Sequence, residues 1–226
     1  EAVLEHIGGA ADTVVCAGDL VGYGAFPDAV VLRLAELGIP SVMGNYDEGV
    51  GFDREDCGCE YRDEEERALG ERSLEWTRAH TGDEARALLR GLPRQLRLGG
   101  SEGRVLVVHG SPRRINEYLH ADRPDASFRR ILRHAGAEVV VCGHTHVPYV
   151  KRFPEGLVVN AGSVGRPRDG DPRAAYAVLD AGPPASAQIV RVSYDVEAAA
   201  SAVLASGLPP RLATELRRGG RGGGRE

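Results

Sequence analysis

The sequence predicts an α/β protein in which a largely parallel sheet is followed by a second, antiparallel sheet. Short apolar runs alternate with amphipathic stretches from residue 12 to residue 142, and this alternation is typical of right-handed strand–helix–strand units. Closely spaced short runs then follow, separated by Pro, Gly and Asp, as in antiparallel sheets. With 226 residues and 42% hydrophobic content, the chain is long enough to bury a sizeable core.

The first part of the chain predicts two helices and two strands. Residues 1–7 have helical spacing without an N-cap residue, and the chain begins with Glu1 rather than methionine. We therefore expect a helix that is already under way and a chain that is cut at its start. Strands are predicted over residues 12–19 and 39–45. The helix between them covers residues 27–37, and its proline suits the first helical turn.

A helical insert is predicted over about residues 61–92. A charged helix covers residues 62–80. Thr81 and Glu84 have the spacing of a capping box, so a second helix is expected to begin there. We expect this insert to lie over one edge of the domain.

The remaining elements continue the sheet and then build the second one. Strands over residues 104–109 and 138–142 flank a helix over residues 125–134. The later runs share a short length and turn residues at both ends; they cover residues 149–152, 157–160, 174–179 and 187–194. We interpret these four as an antiparallel second sheet.

Two surface helices are predicted at the carboxyl end, over residues 196–206 and 210–217. Residues 219–226 are rich in Gly and Arg and are expected to form a disordered tail. We find no internal repeat, so residues 1–218 are interpreted as a single domain.

Charge and hydropathy exclude several classes of partner. The net charge of −5 argues against a nucleic-acid-binding protein, and the short Arg/Gly tail is a weak signal for RNA. No apolar run approaches the roughly 20 residues of a membrane helix, and no secretory leader is recognisable. These features favour a cytoplasmic protein without a membrane partner; whether it forms a homo-oligomer is left open.

The four cysteines are interpreted as reduced thiols. Cys16 and Cys142 lie within apolar runs and are expected to be small core residues. Cys57 and Cys59 lie in an acidic loop, too close together for a relaxed disulfide and too few for a zinc site. We expect a plain surface loop here, with a lid over the site as the alternative.

Candidate metal ligands follow the predicted strands where each strand ends. Because ligands bind outside the carboxyl ends of the strands in α/β sheets, these side chains are expected to meet in one crevice. Each has a structural interpretation when taken singly: a turn residue for Asp19 or Asn45, a backbone-bonded histidine for His109. Together they form a mixed oxygen and nitrogen set that suits transition metals rather than calcium. The set comprises Asp19, Asn45, His109, His144 and His146.

The segments GDLVGYG, GNYD, HGSP, GHTH and NAGSVGRPRDGDPRAAY occur in this order. Over about residues 1–180 the chain thereby resembles the calcineurin-like metallophosphoesterase superfamily, and is most similar to its small bacterial phosphodiesterases. The resemblance implies a four-layer αββα sandwich of two mixed sheets flanked by helices. It also implies two divalent metal ions, such as Mn, Fe, Zn, Ni or Co, that cleave phosphoester bonds.

The resemblance assigns a role to each candidate ligand. Asp19 matches the carboxylate that bridges both ions, Asn45, His109 and His144 match the other ligands of one ion, and His146 matches a ligand of the second. Two such ions about 4 Å apart clamp the phosphoryl oxygens and hold a bridging hydroxide for in-line attack. The amide of Asn45 is also expected to donate to a phosphoryl oxygen.

This sequence departs from the family pattern in two places. No Asp-x-His segment is present, so we expect the first strand of the fold to lie upstream of Glu1. The second ion would then keep only Asp19 and His146 as ligands, and turnover would be impaired. Tyr46 stands where many relatives have an acidic histidine, which favours good leaving groups because a phenol is a poor acid near pH 7.

The interpretation that results is a dinuclear metal-dependent phosphodiesterase acting on a small phosphoester, a nucleotide among the candidates. Phosphomonoesters and pyrophosphates are alternative substrates. Ser163 and Arg166 are predicted to contact the substrate, together with Tyr46. The alternative of a different class is a non-catalytic scaffold on the same fold.

Overall fold

A computed structural model describes residues 1–99 and 103–220 of the protein. Eight helices occur in this part of the chain. They are α1 (Ala2–Ile7), α2 (Pro27–Glu36), α3 (Asn45–Gly51), α4 (Glu64–Ala79), α5 (Asp83–Arg90), α6 (Asp125–Ala135), α7 (Val196–Ser206) and α8 (Pro210–Arg218). The described residues include no helix with both the length and the apolar content needed to cross a membrane.

Seven strands in the described residues form two sheets. They are β1 (Gln95–Leu98), β2 (Val105–Val108), β3 (Val139–Cys142), β4 (Tyr149–Phe153), β5 (Gly156–Asn160), β6 (Ala174–Asp180) and β7 (Ser186–Val192). The first sheet has the order β1-β2-β3-β5-β4, and the second is the β6-β7 hairpin. Because β2, β3 and β5 are parallel, their carboxyl ends meet at one edge of the first sheet.

The first sheet is covered on both faces, which is why its central strands are continuous apolar runs. One face packs on α6 through Phe128, Ile131 and Leu132. Valines on the other face pack against alanine, leucine and isoleucine side chains of β6 and β7. Helix α1 covers the far side of the hairpin through Val3. The layers therefore run α6, first sheet, second sheet, α1.

The other helices cover the side of the molecule next to the carboxyl ends of the strands. Helices α2, α3 and α5 share a core that includes Val31, Tyr46 and Leu89. Helices α7 and α8 pack on Leu69 of α4. The predicted helical insert is thus present as α4 and α5, and it contacts both groups of helices.

Two predictions about strands are wrong. The predicted strands over residues 12–19 and 39–45 are reduced to one parallel bridge between Cys16 and Ser41, since Pro40 has no N–H to extend the ladder. The runs at 149–152 and 157–160 belong to the first sheet as β4 and β5, so the second sheet has two strands. That second sheet is antiparallel, as its closely spaced runs predicted.

Predictions at four further places also need correction. Helix α3 and strand β1 were not expected from the sequence. The residue that caps α5 is Gly82, and Thr81 instead donates its hydroxyl to the carbonyl of Thr77. The disordered tail was predicted to begin at residue 219. Gly219 and Gly220 are instead buried, and Gly220 N–H donates to the carbonyl of Glu215. The rest of that tail, from residue 221, lies outside the described residues.

Candidate metal centre

Two glycines allow the turn that carries Asp19 to approach the start of α3. A Cβ at Gly44 would lie 2.0 Å from Asp19 Oδ1, and a Cβ at Gly18 would lie 2.7 Å from Gly44 N. Asp19 itself has a φ of 55°, in the left-handed region that is costly for residues other than glycine. The surrounding contacts therefore hold this carboxylate in a strained conformation, which is typical of functional sites.

Four of the five candidate metal ligands meet at the edge where β2 and β3 end. His109 Nε2 lies 3.2 Å from Asp19 Oδ2, 3.0 Å from Asn45 Oδ1 and 3.1 Å from His144 Nδ1. The metal-ligating atoms of Asp19, His109 and His144 all lie within 4.8 Å of one another. We call these four residues, Asp19, Asn45, His109 and His144, the ligand cluster.

The hydrogen bonds around the ligand cluster direct lone pairs to its centre. His109 Nδ1 lies 2.8 Å from the carbonyl of Ala17 and so carries a proton, which leaves Nε2 as the nitrogen that would bind a metal once the ring is neutral. Asn45 Nδ2 donates to the carbonyl of Cys57 at 3.0 Å, which turns Oδ1 towards His109. A carboxylate, an amide oxygen and imidazole nitrogens then face one another, an arrangement that suits a bound cation.

Electrostatics agree with a site for positive charge. Burial alone lowers the pKa of His109, but the Asp19 carboxylate outweighs burial and leaves that pKa raised. Burial, and then the charge of His109, lower the pKa of His144 to about 3. His144 is therefore neutral near pH 7, as a metal ligand must be.

The two histidines of GHTH lie in a strained turn that Asn160 holds in place. His144 and His146 have φ values of 62° and 61°. The buried Asn160 amide donates to the carbonyl of Gly143 at 2.7 Å and to Thr145 Oγ1 at 3.0 Å. Because Asn160 is the last residue of β5 and pairs with Cys142 of β3, the register of β5 beside β3 sets the position of this turn.

His146 lies apart from the ligand cluster. Its Nδ1 is 2.8 Å from the carbonyl of Arg166 and so carries the proton, which leaves Nε2 as a metal-ligating atom. Burial, and then the charge of Arg166, lower the pKa of His146 to about 3. The described residues contain no other close group of three His, Cys, Asp or Glu ligands besides Asp19, His109 and His144. The predicted second ion therefore stays a prediction.

Asp47 is a functional residue that the sequence did not reveal. Its buried carboxylate accepts hydrogen bonds of 2.8 Å from the backbone N–H groups of Asp19, Leu20 and Gly44. Burial and the neighbouring Asp19 charge raise the pKa of Asp47 to about 7. The available signal was its position three residues after Gly44, at the start of α3, where carboxylates often cap helices.

The three predicted substrate-binding residues are placed differently from one another. Tyr46 is 1% exposed and its hydroxyl donates to the carbonyl of Gly70 at 3.3 Å, so its side chain is directed into α4. Ser163 Oγ accepts the N–H of Arg166 at 2.9 Å and closes a turn. The Arg166 guanidinium stacks on Tyr23 at 3.5 Å. Their contacts with a substrate stay predictions.

The loop that carries the two close cysteines is not a plain surface loop. Cys57 is buried, and Asn45 Nδ2 lies 3.1 Å from Cys59 Sγ as well as bonding to Cys57 O. The loop therefore forms one wall of the ligand cluster. The Asn45 Nδ2 group was predicted to donate to a phosphoryl oxygen, but here it donates to the cysteine loop. Its contact with a phosphoryl oxygen stays a prediction.

Comparisons with known proteins agree with this geometry. Residues 1–182 match the model of the calcineurin-like phosphoesterase superfamily domain. An uncharacterized protein of Methanocaldococcus jannaschii is 31% identical over 221 residues, covering 90% of this chain and 85% of the relative.

Two solved structures have the same fold. A metallophosphoesterase from Sphaerobacter thermophilus superposes with a TM-score of 0.78 at 29% identity, covering 96% of this chain and 92% of that one. A hypothetical protein from Pyrococcus horikoshii gives a TM-score of 0.83 at 23% identity, covering 97% and 92%. Since the family model matches most of the chain and the fold agrees, the resemblance is confirmed: the chain belongs to the calcineurin-like phosphoesterase superfamily.

Proposed function

We propose that the protein is a metal-dependent phosphodiesterase that uses two divalent ions. The observation that carries this proposal is the convergence of one carboxylate oxygen, one amide oxygen and two imidazole nitrogens in the ligand cluster. Membership in a phosphoesterase superfamily supports hydrolysis of a phosphoester. Divalent ions held there supply Lewis acidity to a phosphoryl oxygen and acidify the attacking water.

The chain's own residues orient the reacting groups. Asp19, Asn45, His109 and His144 would hold one ion, and Asp19 with His146 would hold the second. Manganese is our first choice of metal, with Fe, Zn, Ni and Co as alternatives, because the donor set mixes carboxylate, amide and imidazole. Asn45, His109 and His144 are buried and Asp19 is partly buried, which limits the access of bulk water to the proposed ion.

Arg166 is proposed to contact the substrate phosphate. Its charge acts on His146, so the guanidinium lies close to the proposed second ion. Its Nε is buried and has no hydrogen-bond partner among the described residues, which leaves a donor for an incoming oxygen. A planar guanidinium is well suited to bind two phosphate oxygens.

Diesters with good leaving groups are the proposed substrates. The Tyr46 hydroxyl is committed to Gly70 inside the protein, so it does not face a leaving group. An aryl or nucleotidyl leaving group departs without prior protonation. Phosphomonoesters and pyrophosphates are the alternatives. A small phosphoester of the cytoplasm fits the reduced, cytoplasmic setting expected from the sequence.

The test is metal-dependent hydrolysis. The chain, stripped of metal with a chelator, is expected to bind Mn²⁺ in a calorimetric titration and to hydrolyse bis-p-nitrophenyl phosphate faster than p-nitrophenyl phosphate. Binding of Mn²⁺ without turnover of either ester, with any of the five metals, would favour a scaffold. No binding of any of these metals would remove the proposed metal centre altogether.

A further inference from the structure

The turn formed by Cys57, Gly58 and Cys59, which we call the CGC turn, supports the amide of Asn45. Asn45 Nδ2 donates to the carbonyl of Cys57 at 3.0 Å and lies 3.1 Å from Cys59 Sγ. Asn45 Oδ1 in turn lies 3.0 Å from His109 Nε2. The two acceptors on the CGC turn therefore decide which end of the amide faces the ligand cluster.

The CGC turn is held firmly, with its thiols side by side. Cys57 Sγ and Cys59 Sγ are 2.8 Å apart, and both cysteines are free. Gly58 has a φ of 63°, its N–H donates to Asp56 and its carbonyl accepts from Asn116 at 2.9 Å. A Cβ at Gly58 would lie 2.6 Å from Asn116 Nδ2, so the position favours glycine.

We propose that the Cys57 and Cys59 pair is a redox-sensitive positioning element for Asn45. With both thiols reduced, Cys59 Sγ accepts from the Asn45 amide and Oδ1 faces His109. When the two sulfurs are joined, Cys59 Sγ is drawn towards Cys57 and the amide loses this acceptor. The inference rests on the proposed function, because the orientation of Asn45 matters only if the ligand cluster binds metal.

The chemistry is thiol–disulfide exchange with a small-molecule disulfide as the oxidant. Cys59, the more exposed of the two, attacks one sulfur of that disulfide as a thiolate and releases one small thiolate. Cys57 then attacks the Cys59 sulfur of the mixed disulfide and releases the second. The pair loses two electrons and two protons, and the small disulfide gains them as two thiols.

The expected consequence is weaker metal binding. An Asn45 amide that can rotate presents Nδ2 to the cation for part of the time, and an N–H group repels a cation. Changes in the groups that hold metal ligands typically weaken metal affinity roughly 10–100-fold. A ring closed over three residues is strained, so the disulfide should be reduced readily and the effect should be reversible.

The experiment compares the reduced chain with the chain treated with oxidised glutathione. We expect intact mass to show the loss of two hydrogens, and calorimetry to show a drop of roughly 10-fold or more in Mn²⁺ affinity. Dithiothreitol should restore both. Cys59→Ser keeps an acceptor for the Asn45 amide but lacks the attacking thiol, so its Mn²⁺ affinity should be the same before and after the treatment, while Cys16→Ala, the matched control, should respond like the unaltered chain.

Two results would overturn the inference. One is formation of the intramolecular disulfide with unchanged Mn²⁺ affinity, and the other is formation of mixed disulfides alone. Failure of the proposed function is distinguishable, because it would appear as absent Mn²⁺ binding in the reduced chain before any oxidant is added. The melting temperature of Cys59→Ser identifies any loss of Mn²⁺ affinity that is due to misfolding.

Discussion

The ligand cluster and the loop over residues 163–168, which we call the arginine loop, both contact the GHTH turn and are built in opposite ways. The ligand cluster gathers lone pairs from Asp19, Asn45 and two histidines around one point. The arginine loop pairs each of its cations within the protein: Arg166 with Glu215 at 3.3 Å, and Arg168 with Glu66. Among the described residues, the charges of the arginine loop are therefore paired, with Arg166 Nε left as a free donor, whereas the lone pairs of the ligand cluster have no cation from the protein's own groups.

The two regions therefore have different roles: the ligand cluster is built to bind a cation, and the ion pairs of the arginine loop hold parts of the fold together. Lone pairs gathered in a buried site are costly without a cation, so the ligand cluster is organised for something that the chain does not supply. Through its ion pairs, the arginine loop holds the segment that follows β5 against helices α4 and α8. Changes in the ligand cluster should therefore affect metal binding and hydrolysis, and changes in Glu66 and Glu215, the ion-pair partners of the arginine loop, should mainly affect stability.

The largest effect is expected for Asp19→Ala. This carboxylate is the one negative charge in the ligand cluster and, by the proposal, touches both ions. Hydrolysis of bis-p-nitrophenyl phosphate should fall by roughly 1000-fold, the upper range for loss of a principal electrostatic contact. The melting temperature should change little, because loss of the hydrogen bond from Tyr46 N–H to Asp19 is offset by removal of a carboxylate that is costly to bury without a cation. Asp12→Ala, an exposed carboxylate in the same segment, is the control, and equal activity of the two variants would refute the role of Asp19.

The two histidines of the GHTH turn should differ in metal affinity. His144→Ala removes a ligand from the cluster, so the Mn²⁺ ion that binds most tightly should bind roughly 10–100-fold more weakly or worse. His146→Ala should leave that tightest ion almost unchanged, because His146 lies apart from the cluster. Calorimetric titration of both variants checks this order. Equal losses would mean that the two regions form a single site.

Asp47→Asn tests the support beneath the ligand cluster. An Asn side chain offers one acceptor oxygen, so at least one of the three backbone N–H groups would face an amide N–H instead. Mn²⁺ affinity should fall by roughly 10-fold, the lower end of the range for such supporting groups. Glu48→Gln, in the next position of α3, should have no effect on affinity, since Glu48 pairs with the exposed Arg54 and Arg94.

The sequence predicted the ligands better than it predicted their supports. His109 and His144 follow β2 and β3, which are apolar along their whole length. Because such strands are typical of the centre of a parallel sheet, their carboxyl ends were expected to lie side by side. Asp47 and Cys59 act through contacts with residues distant in the chain, which no local pattern encodes. Asn160 was recognised as part of a motif, but its hold on Gly143 depends on the pairing of β5 with β3.

Local patterns also fail to encode the pairing of distant strands, and this explains the errors in the sheet. Strand β5 is a continuous apolar run, the pattern of a central strand, whereas β4 alternates between exposed and half-buried positions like an edge. Both were assigned to the second sheet because the short turn between them is typical of antiparallel hairpins. A hairpin pattern gives the pairing of its own two strands, and it does not show that β5 also lies beside β3.

The smallest effect is expected for Glu66→Gln, and it concerns stability alone. Burial by itself raises the pKa of Glu66, but the N–H of Arg62 and the charge of Arg168 outweigh burial and leave the pKa below 4.5. A lowered folded-state pKa contributes stability that is present above the unfolded value and is lost as the pH falls through the folded value. The variant should therefore be less stable than the unaltered chain by about 1–2 kcal/mol at pH 7, and the difference should shrink below pH 4.5.

Denaturant unfolding at pH 7 and at low pH measures this difference, with Glu64→Gln as the control in the same turn of α4. Glu64 is 87% exposed and makes one surface ion pair with Arg67, so its replacement should change stability by less than about 1 kcal/mol. Mn²⁺ affinity should be unchanged in both variants. If Glu66→Gln weakened Mn²⁺ binding as strongly as Asp47→Asn does, the arginine loop would be part of the metal centre, and the separation of attachment from chemistry would not hold.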